Sequence, residues 1–256
     1  MIPMLGILLA FSMLGCPPSP SPDPDGSAQP AQPNGNGGVS VNAEEALVID
    51  APLYVVDLSG EIDPHDPPQI VSADSSLNGQ IVYAYNEYDY VTPIATGTIT
   101  NGRLTITIPK PDSSILKSMI DFWDESGYPS SWIQAGANVK MGVFDFETDF
   151  GQLVLYANPS VKVYEDSYPG YGTYSYYWAN IDGEICGYFY SQGDIAVYGS
   201  GSGTDSYGDP YIADFDFKLI QGWNSGMSTH NFNTGKNVLR SQNPPASAKW
   251  VLEYDH

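Results

Sequence analysis

The sequence predicts a mainly β protein, a β-sandwich or two sandwiches packed or in tandem, with one helix inserted near residues 112–125. Three observations predict it. Gly (26) and Pro (21) are abundant, which suits many strands joined by tight turns. Apolar residues recur with the two-residue period of a pleated strand, as where Leu104, Ile106 and Ile108 alternate with Arg103, Thr105 and Thr107. Turn pairs separate such runs, and the clearest is Asn101-Gly102 between Thr98-Ile99-Thr100 and Arg103-Leu104-Thr105-Ile106. Asn-Gly takes the positive φ values of a type I′ turn, so this stretch reads as a hairpin.

From the N-terminus, Met4–Leu14 is an apolar run of 11 residues, broken by Gly6 and Ser12. A bilayer-spanning helix needs about 20 residues, so the run fits the apolar core of a signal peptide instead. Gly15 and Cys16 follow, and then a Pro/Ser/Asp/Gly-rich segment, Pro17–Gly38, with no apolar periodicity. Such a composition cannot build a core and reads as a tether. The order of apolar run, Ser12-Met13-Leu14-Gly15-Cys16 and linker resembles the lipobox of bacterial lipoproteins. Met13 stands where that family usually has Leu, and Met1-Ile2-Pro3 carries no basic residue. The resemblance implies cleavage before Cys16, acylation of that residue, and export to the bacterial cell envelope with a lipid anchor in a membrane. The expected organisation is therefore a signal peptide at 1–15, lipidated Cys16 and tether at 16–40, and a β-rich domain at 41–256, with a possible subdivision near 125–138.

Strand candidates in the domain are 53–58, 80–85, 139–146, 152–157, 161–165, 171–179, 184–190, 195–199, 212–220 and 249–254, and Ser191-Gln192-Gly193-Asp194 looks like a second hairpin turn. The helix is expected after Pro111, capped by Asp112 or Ser113, because Ile115, Leu116, Met119, Ile120 and Trp123 fall on one helical face; Gly127 ends it. Val82-Tyr83-Ala84-Tyr85 with Gly97–Leu104 is similar to the prealbumin-like, immunoglobulin-like sandwich modules of bacterial surface proteins. Tyr190–Asp194, Phe217–Asn224 and Lys249-Trp250-Val251 are similar to segments of uncharacterised surface lipoproteins. These resemblances imply a sandwich fold and carry no activity.

Charge narrows the function classes. Thirty acidic residues face nine basic ones, for a net charge of -21. Nucleic-acid binding replaces phosphate counterions with Lys and Arg, so this surface excludes that class. The same charge disfavours peripheral attachment to anionic lipid. It is compatible with solubility, with cationic partners, or with Ca²⁺, for which Asp205, Asp209 and Asp214 in a Gly-rich stretch are the candidate ligands; a solvated acidic loop is the plainer reading. Asp145-Phe146-Glu147-Thr148-Asp149 also reads as a strand with its acids in water.

No motif names a reaction. The three His (His65, His230, His256) are scattered, and no Gly-x-Ser-x-Gly, His-Glu-x-x-His, phosphate loop or paired CxxC occurs. With Cys16 lipidated, Cys186 has no disulfide partner and reads as a small buried residue on a strand. The most unusual segment is Tyr164–Trp178, in which Tyr171, Tyr174, Tyr176 and Trp178 form a candidate platform of flat rings with polar tips. The leading expectation is a non-catalytic, membrane-held module that binds a glycan or an envelope or host protein. The alternatives are a structural or antigenic envelope protein and, third, a carbohydrate-active enzyme.

Overall fold

The computed structural model describes residues 39–42, 46–58, 62–88, 90–126, 128–167, 175–204, 210–231 and 236–254. The chain runs through β1 (Val39–Asn42), β2 (Ala46–Val56), β3 (Ile70–Ser72), β4 (Ile81–Asn86), β5 (Ala95–Thr100) and β6 (Arg103–Pro109). A short β7 (Lys117–Ser118) leads into helix α1 (Met119–Ser126), β8 (Ile133–Ala135) and β9 (Lys140–Thr148). Two long strands follow, β10 (Gly151–Ser167) and β11 (Ser175–Ser191), then β12 (Ile195–Thr204), β13 (Pro210–Leu219), β14 (Gly222–Asn231), β15 (Lys236–Arg240) and β16 (Lys249–Tyr254).

All sixteen strands belong to one continuous sheet. Strand β9 pairs with β4 on one side and with β10 and β11 on the other. The path β9–β4–β5–β6–β2–β16–β10 therefore returns to its start. Closing the sheet on itself presses its two inner faces together, as in a sandwich, and pairs edges that would otherwise stay open. The mainly β, sandwich-like expectation holds, built from one sheet.

The two-residue period decides which side chains enter the core. Leu47, Ile49, Ala51 and Leu53 of β2 and Leu104, Ile106 and Ile108 of β6 are buried, as the alternation predicts. They join Phe144, Phe146, Tyr188, Trp223 and Trp250 in a first core inside the closed sheet. A second core gathers Met119 and Trp123 of α1 with Met141, Val143, Phe189, Val197, Phe215 and Phe217. Strands β9 and β11 serve both, one face each: Phe144 and Phe146 point into the first core, Met141 and Val143 into the second. Tyr128, Trp132 and Ile133, near the expected subdivision, pack wholly against the second core.

The Asn101-Gly102 turn forms as read, with φ of 51° and 67° and Thr100 opposite Arg103. Three expectations need correction. The helix begins at Met119, not at 112: Asp112 caps a 3₁₀ turn, accepting from the Ser114 amide at 2.8 Å, and Lys117 then pairs with Met141. Leu116 is buried in the first core and Met119 and Trp123 in the second, so the apparent helical stripe is divided between two cores. The turn at 191–194 does not close a hairpin. Between Tyr188 and Ser191, β11 is flanked by β14 and β9, which leaves β12 to pair with β8 and β13. Finally, 152–157 and 161–165 belong to one strand of 17 residues, and 175–179 and 184–190 to another, with a register shift between Ala157 and Ser160; residues 171–174 lie outside the described residues.

Candidate binding groove

Beyond that shift the β10–β11 arm borders a groove lined by described residues. Strand β10 pairs with β16 from Gly151 (opposite Tyr254) to Tyr156 (opposite Lys249) and then leaves it. A straight strand rising about 3.3 Å per residue would carry Val161 about 33 Å beyond Gly151. Yet Val161 and Tyr254 line one groove, so the distal β10–β11 arm folds back over the sheet. Asn158 takes a left-handed φ of 50° at the bend. Ile181 and Ile185 pack onto Val154, Tyr156 and Val251, and the Lys162–Asp182 ion pair braces the arm across its two strands.

The groove holds about 220 Å³. One wall is Val56 and Leu58 at the end of β2 with Leu252, Glu253 and Tyr254 of β16; the other is Val161 and Trp178–Ile181 of the arm. Leu58 (41% exposed), Trp178 (41%) and Tyr254 (39%) leave large apolar surfaces facing water at one place. The Trp178 ring stacks on Tyr164, its partner across the arm, with centroids 4.7 Å apart and planes 22° apart. That contact holds the indole in one orientation at the groove's lip. Among the described residues lining the groove, Glu253 carries the one carboxylate, and the Tyr156 hydroxyl donates to its Oε1. Burial raises the pKa of Glu253 above the ordinary carboxylate value, and the Tyr156 hydrogen bond opposes that rise. Sites for drug-sized ligands enclose about 300–1,000 Å³, so this groove suits a single ring or side chain.

A second cluster lies on the outer face of β9. Asp145 stands beside Tyr85 in the β4–β9 ladder and is 7% exposed, contrary to the solvated placement read from its alternation with Phe144 and Phe146. The face it shares with Val143 is covered by the chain following β4. Tyr90 donates its hydroxyl to Asp145 Oδ2, and the Tyr90 and Tyr85 rings stack with centroids 5.6 Å apart. Both carboxylate oxygens of Glu87 are buried without a hydrogen-bond partner among the described residues. Burial, reinforced by the charge of Asp145, pushes Glu87 up to about 9, while Lys117 pulls the other way. Burial also raises Asp145, to about 6, against the Tyr90 hydrogen bond. At neutral pH these directions favour a protonated Glu87 near an ionised Asp145. Their oxygens are packed away from solvent, which suits a structural pair better than a reacting one.

No family model, curated protein or solved structure matches this chain. The site geometry therefore carries the functional argument without a relative's support.

Of the residues singled out from sequence, Trp178 sits on the groove. Tyr171 and Tyr174 lie outside the described residues; Tyr176 is in β11 opposite Asp166, and its side chain is outside them too. Cys16, Asp205 and Asp209 are also outside. Asp214 is on the outward face of β13, between buried Ala213 and Phe215, and its Oδ2 pairs with Lys236 Nζ at 3.0 Å. Among the described residues no three His, Cys, Asp or Glu side chains are grouped to hold a metal. Cys186 is buried at 5% exposure, as read, and burial pushes its thiol up to about 12. Sequence reasoning missed Leu58, Glu253 and Tyr254, which join Trp178 only because the arm bends back, and it missed the Glu87–Asp145 pair.

Proposed function

We propose that this chain is an exported lipoprotein held at a membrane through Cys16, and that its β domain is a non-catalytic module gripping a segment of a partner protein. The groove between β2–β16 and the arm is the binding site. The observation that carries this reading is the convergence of Leu58, Trp178 and Tyr254, three large half-exposed side chains on one small concave surface. An exposed apolar concavity with aromatic rims is the usual footprint of an anchor side chain from a partner. A glycan is the second reading, favoured by the Trp178–Tyr164 stack, whose indole is held as a flat platform. The groove offers few polar side chains, chiefly Asn180 and Glu253, to satisfy the many hydroxyls of a sugar.

The test is a displayed random-peptide library and a glycan array, each probed with the full chain and with Trp178→Ala. Peptides enriched by the wild type and lost by the variant at unchanged melting temperature support the module. Enrichment unaffected by the substitution, or none at all, overturns it; glycan binding lost on the same substitution establishes the second reading. The anchor is tested separately. Cys16→Ser should move the protein from the membrane to the soluble fraction, and continued pelleting with membranes would refute lipidation.

A further inference from the structure

Resting on the peptide-binding reading above, we propose that the groove accepts a lysine side chain, its aliphatic stem against the apolar walls and its ammonium facing Glu253 and the aromatic rims. Charge complementarity is the first argument. The chain carries a net charge of -21, and among the described residues lining the groove none is Lys, Arg or His. A cationic partner is steered toward such a surface and an anionic one repelled.

Shape and chemistry agree with charge. Val56, Leu58 and Ile181 offer apolar surface for four methylenes, while half-exposed Trp178 and Tyr254 border the groove with ring surface that attracts a cation. At the wall Glu253 supplies one carboxylate, fixed through Oε1 by the Tyr156 hydroxyl. That fixation also discriminates between cations. Arginine pairs best with a carboxylate through two parallel hydrogen bonds, and here one oxygen is already engaged; an ammonium needs only a point acceptor. The nearby lysines of the chain are occupied elsewhere: Lys162 pairs with Asp182, and the Lys249 ammonium lies 4.8 Å from the centre of the Tyr54 ring. Glu253 also gains from such a ligand, because burial without a counter-charge holds its pKa up and an ammonium beside it would bring the value down.

The experiment titrates the full chain with capped tripeptides Ala-Xaa-Ala, where Xaa is lysine, norleucine, arginine or glutamate. Binding is followed by the NMR signal of the Trp178 indole N–H. Lysine should bind about tenfold tighter than norleucine, which keeps the stem and removes the charge. Arginine should fall between them, and glutamate should leave the signal unmoved. In Glu253→Gln the lysine preference should fall about tenfold, to the norleucine level, with norleucine affinity unchanged. If Glu253→Gln fails to fold, Tyr254→Leu serves instead, keeping apolar bulk and removing the ring, and should weaken lysine more than norleucine. Equal affinity for lysine and norleucine in the wild type overturns this proposal but leaves an apolar peptide groove standing. Silence of the Trp178 signal with every peptide overturns the peptide reading itself.

Discussion

Replacing Glu87 by Gln should make the protein more stable above neutral pH and flatten the pH dependence of its stability. Glu87 is held near 9 in the folded chain by burial and by the charge of Asp145, against an ordinary value of 4.5. An acid whose pKa is raised by folding keeps its proton longer in the folded state. Its contribution to stability is therefore fully present below about 4.5 and is lost as pH rises toward about 9. One proton's difference changes stability by about 1.4 kcal/mol per pH unit, so the ceiling for Glu87 between pH 5 and 8 is roughly 4 kcal/mol. Relaxation around the charge and entry of water would bring a realistic loss nearer 2 kcal/mol. Asp145, raised to about 6, adds a loss of the same sign at the acidic end of the window. The measurement is urea unfolding of the wild type and Glu87→Gln at half-unit steps from pH 5 to 9. The variant should be close to the wild type at pH 5 and about 2 kcal/mol more stable at pH 8. General repulsion from the -21 charge acts on both proteins and cancels in their difference. A difference that stays constant from pH 5 to 8 would refute the account of Glu87 as an acid kept protonated by burial and by the charge of Asp145.

Three further perturbations probe other parts of the structure. Trp250, 2% exposed in the first core and stacked with Tyr188 at a centroid separation of 6.1 Å, should cost about 3–5 kcal/mol when replaced by Ala, read as a lowered urea midpoint. Gly199 of β12 lies directly beneath the Trp132 ring, so a Cβ there collides with the indole. Gly199→Ala should destabilise by about 1–3 kcal/mol with a changed near-ultraviolet circular dichroism, whereas an unchanged spectrum and midpoint would remove Trp132 from that position. Cys186, its thiol pushed up to about 12 by burial and the charge of Glu184, should resist a thiol reagent at pH 8 until denaturant is added; rapid labelling at Cys186 in the folded Cys16→Ser chain would contradict its placement on the inner face of β11.

What the sequence reveals depends on whether one strand face meets water. In β6 it does, so Leu104, Ile106 and Ile108 alternate cleanly with exposed neighbours and the strand is legible along with its Asn101-Gly102 turn. Strand β14 is buried from Gly222 to Met227 yet contains Asn224 and Ser225, so no apolar alternation announces it. Those polar side chains are paired locally: Asn224 donates to the carbonyls of Ile220 and Gly222 at 2.8 Å each, and the Ser225 hydroxyl reaches the Gln242 carbonyl at 3.3 Å. Their partners are set by the turn geometry and by the tertiary fold, neither of which a hydrophobic pattern encodes. The acid pair fails for a different reason. Asp145 alternates with phenylalanines as an exposed acid would; its burial comes from residues more than fifty positions earlier, Tyr85, Glu87 and Tyr90, brought over it by the β4–β9 register.

The groove joins these two kinds of legibility. Trp178 is conspicuous in the sequence because an aromatic-rich, glycine-punctuated stretch suits display, but a single half-exposed ring is not a site. The other wall comes from Leu58 and from Glu253 and Tyr254, which the ladder between β2 and β16 fixes as part of the closed sheet. The wall bearing Trp178 belongs to the arm, which is held by the packing of Ile181 and Ile185, by the Lys162–Asp182 pair and by its own two-stranded ladder. One wall is therefore as stable as the core, while the other rests on a small contact patch that can yield without unfolding either core. In the proposed binding module, a groove made this way would keep Glu253 and Tyr254 in fixed register and let the Trp178 wall adjust to an occupant. Affinity for the proposed partner would then depend on how well the arm is seated before binding, because any ordering of that wall on contact subtracts from the gain of burying Trp178.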